Sequence, residues 1–430
     1  MRSPLLRVLV VALVGLAAQS ARAQQRSAAA PKQEIWYHTG YPGGVVGPQS
    51  GMSARMGPTK MPAVFDAIWR NSLVPAGQLH TDSASVRGAA RAAAPIDLAS
   101  LRAVHSDRYL KALFTGQPQS LACSQGLPSW DAAIARGWLL NVGGLYEAAT
   151  TALSKKTITA NLGHGYHHAG VTRGMGFCTI NGLAVVAQKL VREGRAQRVM
   201  VVDLDQHEGN GTAECTLGDG RIWNVSIYGS NMGGPSAASN NHVLQVKHGE
   251  LAQGAARDVN YLSAISSTLP ALVRQHNPDI ILYQAGMDPY DCAGIGARAL
   301  AVRDAYVFAL ARSLGKPLTW VLAGGYSDVS TLVQLHTNTV RAANDVLARV
   351  RPGDTIVNTL RQPYDWSASG GRVSFPEWRA LLSSASRTRT PPVFDDAQTR
   401  DYVSRRQQTL QQERLGDAEL QAAYQRLFAR

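Results

Sequence analysis

The chain has 430 residues, 45% of them hydrophobic and 17% charged, with a formal net charge of +13. That apolar share supports a large core and sets aside a disordered chain, and no stretch reaches the roughly 20 apolar residues of a stable membrane span. Despite the positive charge, no lysine and arginine cluster interleaved with aromatics and no helix-turn-helix or zinc-knuckle spacing occurs, so nucleic acid is not expected as a partner.

In chain order, Arg2 and Arg7 precede an apolar run over 8–18, and Ala21-Arg22-Ala23 offers small residues around a cleavage point. This reads as a signal peptide over 1–23, which would place the mature protein in a bacterial periplasm or outside the cell. A polar, alanine-rich linker over 24–33 precedes one large domain over 34–352. Within it the strand-like runs EIWYH, TITAN, RVMVVD, RIWNVSI, DIILYQA and LTWVLA alternate with helical patterns over 182–192, 261–275, 299–313 and 329–348. Such alternation predicts an α/β fold, a mainly parallel sheet with helices on both faces and the site at the strand C-termini. Over 353–430 PYDWSASGG and SRTRTPP break the periodicity, and polar amphipathic helices follow over 395–414 and 417–430. This C-terminal extension is expected to pack on the domain or to mediate assembly. Cys123, Cys178, Cys215 and Cys292 form no CxxC motif; export would permit disulfides, but the spacing does not pair them.

The chemistry gathers where strands end. RVMVV is apolar on both faces, as for a buried parallel strand, and DLDQHEGNG follows it. If the extended strand continues, Asp203, Asp205 and His207 share a face, so Asp205 and His207 can bind one metal while Asp203 accepts from another group. DIILYQAG is a second apolar strand that ends in a carboxylate, Asp288, before Pro289. Two carboxylates and one imidazole suit a hard divalent ion and leave a position open for water. The tandem His167-His168 and Tyr326, after a glycine pair, also sit where strands end.

Taken together, these segments resemble the histone deacetylase superfamily, most closely its class IV branch, over about residues 35–350. GYHHAGVTRGMGFCTING is similar to the family's tandem-histidine loop, DLDQHEGNGT to its metal strand, AGMDP to its third ligand and LAGGY to its tyrosine turn; VHSDRYLKAL and NVGGLYEAA also match, in order. The resemblance implies zinc, with iron the alternative ion, held by Asp205, His207 and Asp288. It implies His167 and His168 as the acid/base pair, backed by Asp203 and Asn210, and Tyr326 as the phenol that polarises the carbonyl. An amide at Asn210 stabilises an imidazolium less than a carboxylate does, so His168 is expected to be the weaker base. A structural potassium or sodium ion is implied at Asp203, Asp205, His207, Ser226 and Ile227.

Some positions depart from the family. Glu208 stands where relatives carry histidine or glutamine, adding negative charge near the metal strand that could favour cationic amines. Phe177 matches one aromatic wall of the acyl tunnel, whereas SIYGSNMGGPS offers only Met232 or Gly233 opposite, which points to a wide tunnel. His164 reads as a solvent-facing or hydrogen-bonded loop histidine. The expected function is zinc-dependent hydrolysis of an acyl-lysine peptide or a small acylated amine such as an acyl-polyamine. The rivals are a periplasmic binding or scaffold protein on the same fold that lacks turnover, and an arginase-like dinuclear ureohydrolase. The last needs further aspartates that AGMDP lacks.

Overall fold

Along RVMVVD, alternate side chains enter opposite cores, which makes this run a central strand. Met200 and Val202 join the apolar cluster on one face of the sheet, and Val199 and Val201 the cluster on the other. DIILYQA does the same: Ile281 and Tyr283 go one way, Ile280 and Leu282 the other. The computed structural model describes residues 31–41, 60–234, 238, 240–250, 254–355, 364–366, 371–373, 388–389 and 394–429. The signal segment over 1–23 and most of the 24–33 linker lie outside the described residues, as does much of 353–393.

Eight strands form one parallel sheet: β1 (Glu34–Trp36), β2 (Leu79–His80), β3 (Ile158–Asn161), β4 (Val199–Asp203), β5 (Ile222–Tyr228), β6 (Asn241–Val246), β7 (Ile280–Gln284) and β8 (Leu318–Val321). Their order across the sheet is β6-β5-β4-β7-β8-β3-β1-β2, so β4 and β7 are central neighbours, in register from Val199 opposite Ile280 to Asp203 opposite Gln284. A two-residue segment, Thr388–Arg389, adds antiparallel to the free edge of β6. All parallel strands point their C-termini to one rim, and the chemistry-bearing loops gather there.

Helices cover both faces. Lys60–Arg70, Ala255–His276, Ala297–Ser313 and Val329–Arg349 contribute to one core; Asp107–Thr115, Ala132–Lys155 and Gly182–Arg192 contribute to the other. The 182–192 helix coincides with its apolar periodicity, but the helix predicted over 261–275 begins six residues earlier, through the polar run AARDVN. Ala132–Lys155 was not legible as a helix because it is buried over much of its circumference and interrupted by glycines. Those glycines allow close approach: a Cβ on Gly143 would stand 1.9 Å from the Ala94 carbonyl oxygen. Strand β6 has no clear period in sequence, because NHVLQV mixes polar and apolar residues.

The C-terminal helices, Asp396–Gln412 and Asp417–Arg426, pack on the second core. Leu420, Ala423 and Leu427 enter it, Tyr424 donates to the Ile96 carbonyl at 2.7 Å, and Arg102 pairs with both Asp107 and Asp417. All four cysteines are free thiols, so the disulfides that export would permit are not formed.

Candidate metal centre

Strand β4 ends at Asp203, so the expectation that Asp205 and His207 continue it is corrected: they lie on a turn just beyond. Side chains and remote backbone bend the chain there. Asp203 Oδ1 accepts the Asp205 N–H and Asp288 Oδ1 accepts the Gln206 N–H, each at 3.1 Å, while the Gln206 carbonyl accepts the N–H groups of Gly229 and Ser230 at 2.9 Å. Asp288 opens the short helix Asp288–Ala293, which follows β7 after Ala285, Gly286 and Met287.

This folding brings one ligand atom each from Asp205, His207 and Asp288 within 4.8 Å of one another, the one such group of three or more among the described residues. His207 Nδ1 lies 2.8 Å from Asp288 Oδ2 and 3.4 Å from Asp205 Oδ1. Burial and the Asp205 charge push Asp288 up to about 7, whereas His207 is lifted to about 10 because the two carboxylates outweigh its burial. Crowded buried acids and an imidazole in such a triangle are what a divalent cation relieves, and oxygen, nitrogen, oxygen is a suitable donor set. Glycines leave the room: a Cβ on Gly324 would stand 2.6 Å from Asp205 Oδ2 and 2.8 Å from Asp288 Oδ1.

The tandem histidines stand beside this triangle, ring centroids 3.9 Å apart. His167 Nδ1 is 2.8 Å from Asp203 Oδ2, and His168 Nδ1 is 2.7 Å from Asn210 Oδ1. Burial lowers His167, but Asp203 and Asp205 overcome it and raise the imidazole to about 9; His168 is driven down to about 3 by burial and by the charge on His167. The order matches the argument from the Asn210 amide, although burial and His167 are the larger causes. Tyr326 follows, its ring centroid 6.4 Å from that of His207, and burial holds the phenol well above its ordinary range, so it is a donor.

Three supporting residues left no trace in the motifs. The buried Lys60 ammonium donates to the carbonyls of Ala323, at 2.6 Å, and Gly324, at 3.1 Å, and so ties down the tyrosine turn, where Ala323 has φ +56° and Gly325 φ +133°. Asp291 accepts the Tyr326 N–H at 2.6 Å and holds Ser327. The fully buried Arg303 donates to the Gly286 carbonyl at 2.6 Å and the Leu204 carbonyl at 3.3 Å, joining the turns that carry Asp288 and Asp205. Only contacts between remote segments identify them.

Phe177, at φ +63°, lines a cavity beside the centre with His164, His167, Asp205, Gln284 and Tyr326. Its free volume is about 20 Å³, room for one water-sized group directly beside the centre. Met232 is not among the residues lining that cavity; its N–H, with that of Gly234, is held by Glu208 Oε2 at 3.1 and 3.2 Å. Glu208 is therefore a buried clamp on this loop and not a recognition group for cationic amines. His164 is buried against Trp138 and faces the cavity, not solvent. The five positions suggested for a monovalent ion adjoin at the ends of β4 and β5, where Asp203 pairs with Ser226.

Compared with known proteins, the chain matches the histone deacetylase domain family over residues 55–343. An uncharacterized protein of Picosynechococcus sp. is 32% identical over 260 residues, covering 58% of this chain and 83% of that protein. Histone deacetylase 2 of Arabidopsis thaliana is 31% identical over 198 residues, covering 45% of this chain and 50% of its own. Acetoin utilization protein AcuC of Staphylococcus aureus is 31% identical over 154 residues, covering 34% and 39% respectively. The chain thus spans half or less of the latter two relatives. The crystal structure of the HDA15 HD domain aligns with a TM-score of 0.58 at 18% identity, over 88% of this chain and 99% of that one, a likeness of fold alone.

Proposed function

Because the chain belongs to the histone deacetylase domain family, we propose that it is a metal-dependent hydrolase that removes a short acyl group from an amine nitrogen. The observation that carries this reading is the convergence of Asp205, His207 and Asp288 beside two buried histidines, each with its own acceptor. The ion proposed there is zinc, with iron the alternative, and when bound it supplies Lewis-acid polarisation of the amide carbonyl and activation of water. One such three-residue group among the described residues argues for one ion rather than an arginase-like pair.

This chain's own side chains divide the remaining work. His168, held neutral, is suited to take the proton of the attacking water. His167, its Nδ1 fixed by Asp203, is suited to hold positive charge next to it and to deliver a proton to the leaving amine. Tyr326 would donate to the oxyanion as the tetrahedral centre forms, from a turn fixed by Lys60 and Asp291. Reaction gives a carboxylic acid and a free amine.

The substrate class proposed is an acyl-lysine peptide or acyl-polyamine, with a short acyl group because the space beside the centre is small. A potassium or sodium ion at the adjoining ends of β4 and β5 is proposed as a structural companion. Export is proposed from the segment over 1–23, which would direct the activity to acylated amines outside the cytoplasm. The test is a panel of acyl-lysine peptides and acyl-polyamines of graded chain length, assayed with and without added zinc. Metal-dependent release of acetyl is expected; no hydrolysis of any member by zinc-loaded protein refutes the reading.

A further inference from the structure

The cavity beside the metal centre is bordered by Asp205, His167 and Tyr326, three of the groups that would surround a reacting carbonyl. Its wall also holds two side chains to which the reaction gives no part, His164 and Gln284, while Gly165 and Gly324 add backbone. His164 is 4% exposed and has nowhere to retreat. Trp138 stands edge-on to it, ring centroids 6.1 Å apart, and Asn141 Nδ2 donates to its carbonyl at 3.1 Å. The next residue, Gly165, has φ +81°, and a Cβ there would stand 2.5 Å from the Trp138 ring, so this loop is packed hard against the helix that carries Trp138 and Asn141. Burial and the Lys60 charge push the His164 imidazole down to about 3, which leaves it neutral and without an acid's role. Gln284, 1% exposed at the end of β7, keeps an Oε1 with no hydrogen-bond partner.

We infer that His164 sets the length of the acyl group: with the amide carbonyl held between the metal ligands, His167 and Tyr326, the acyl substituent enters this cavity, where the imidazole leaves room for a hydrogen or a methyl group and nothing longer. The inference rests on the hydrolase reading and narrows its substrates to formyl and acetyl amides. A free volume of about 20 Å³ is filled by one methyl group. Each further carbon of a propionyl or butyryl chain has to displace an imidazole that Trp138 and Asn141 hold from behind, and packed interiors yield to such overfilling only at a cost. The longer chain also covers Gln284 Oε1 with hydrocarbon, which offers that buried acceptor no donor. Both effects exclude the same ligands. In the stretch Gly163-His164-Gly165 the imidazole is the sole side chain, so trimming it opens the cavity without disturbing a neighbour on the loop.

The test is kcat/KM of the zinc-loaded protein on one peptide carrying acetyl-, propionyl- or butyryl-lysine. The wild type should lose at least about tenfold for each added methylene, the scale of a size-limited pocket. His164→Ala should lower the acetyl-to-butyryl ratio at least about tenfold; should it fail to fold by circular dichroism, His164→Asn, smaller than histidine but polar, should move the ratio the same way. Butyryl turnover by the wild type equal to acetyl turnover, or an unchanged ratio in a folded variant, would overturn the inference by placing the limit elsewhere. A wild type inactive on every substrate is instead the failure of the hydrolase reading, and a titration of the metal-loaded protein with acetate and butyrate, followed on the ligand by NMR, then decides this inference separately. Acetate bound by the wild type and butyrate bound only by the variant supports it; butyrate bound equally by both refutes it.

Discussion

Asp205 and Asp288 differ from other aspartates of the chain in having their charge shared with one imidazole in a buried triangle, so each is expected to be indispensable to metal binding. Asp205→Ala or Asp288→Ala should lose metal and turnover together, and elemental analysis of the wild type should find about one transition-metal ion per chain. Full occupancy in both variants would contradict the assignment. Tyr326→Phe removes a donor and no ligand, so it should keep its metal and lose on the order of a hundredfold or more in kcat. Glu208 behaves differently again. Its carboxylate binds two backbone N–H groups of the loop over 231–234, and Glu208→Ala should cost about 1 kcal/mol in a urea unfolding titration, because two part-buried donors lose their acceptor.

At the scale of the element, the rim is built by strands whose two-sided apolar runs were plain in RVMVVD and DIILYQA, and the candidate ligands sit a few residues beyond the strand ends. What holds those turns in register is not itself strand. Arg303, inside the Ala297–Ser313 helix, joins the carbonyls of Leu204 and Gly286, while Asp304 beside it takes the Arg303 Nε–H together with the hydroxyls of Tyr283 and Thr339. Arg303→Met would strand Asp304 without its cation and free both ligand turns. A loss of about 3–5 kcal/mol in stability is expected, with weaker metal affinity measured by competition with a chelator. Stability unchanged in that variant would show that the turns hold without it. The periodicity of this helix shows only that it is buried, since arginine at a core position reads as an interruption of the apolar stripe until its partners are known.

Across the whole molecule, the C-terminal helices act as part of the domain. Leu420, fully buried, lies in the same core as helix Ala132–Lys155, so Leu420→Ala should lower stability by about 2–5 kcal/mol in the same urea titration, although it is remote in sequence from all three candidate metal ligands. Polar composition had left their role open, because a helix with a narrow apolar strip looks alike whether it docks on its own domain or on a partner. The proposed export has its own check: N-terminal sequencing of the secreted or periplasmic form should begin at Gln24.

The sequence by itself determined the α/β class and the parallel sense of the buried strands it revealed, and it put the candidate ligands near their ends. Two-sided apolar runs can be satisfied only between helical layers, and an aspartate at the end of such a run must be paired or bound. Tertiary structure alone decided the rest. Lys60 meets Ala323 across 263 positions, Gln206 meets Asp288 across 82, and Glu208 turns to the loop over 231–234 instead of to the metal. Local spacing carries the period of a helix or strand, which reports the face a residue presents. It carries nothing about which remote backbone group completes a buried polar side chain, because that partner is fixed only when the layers close.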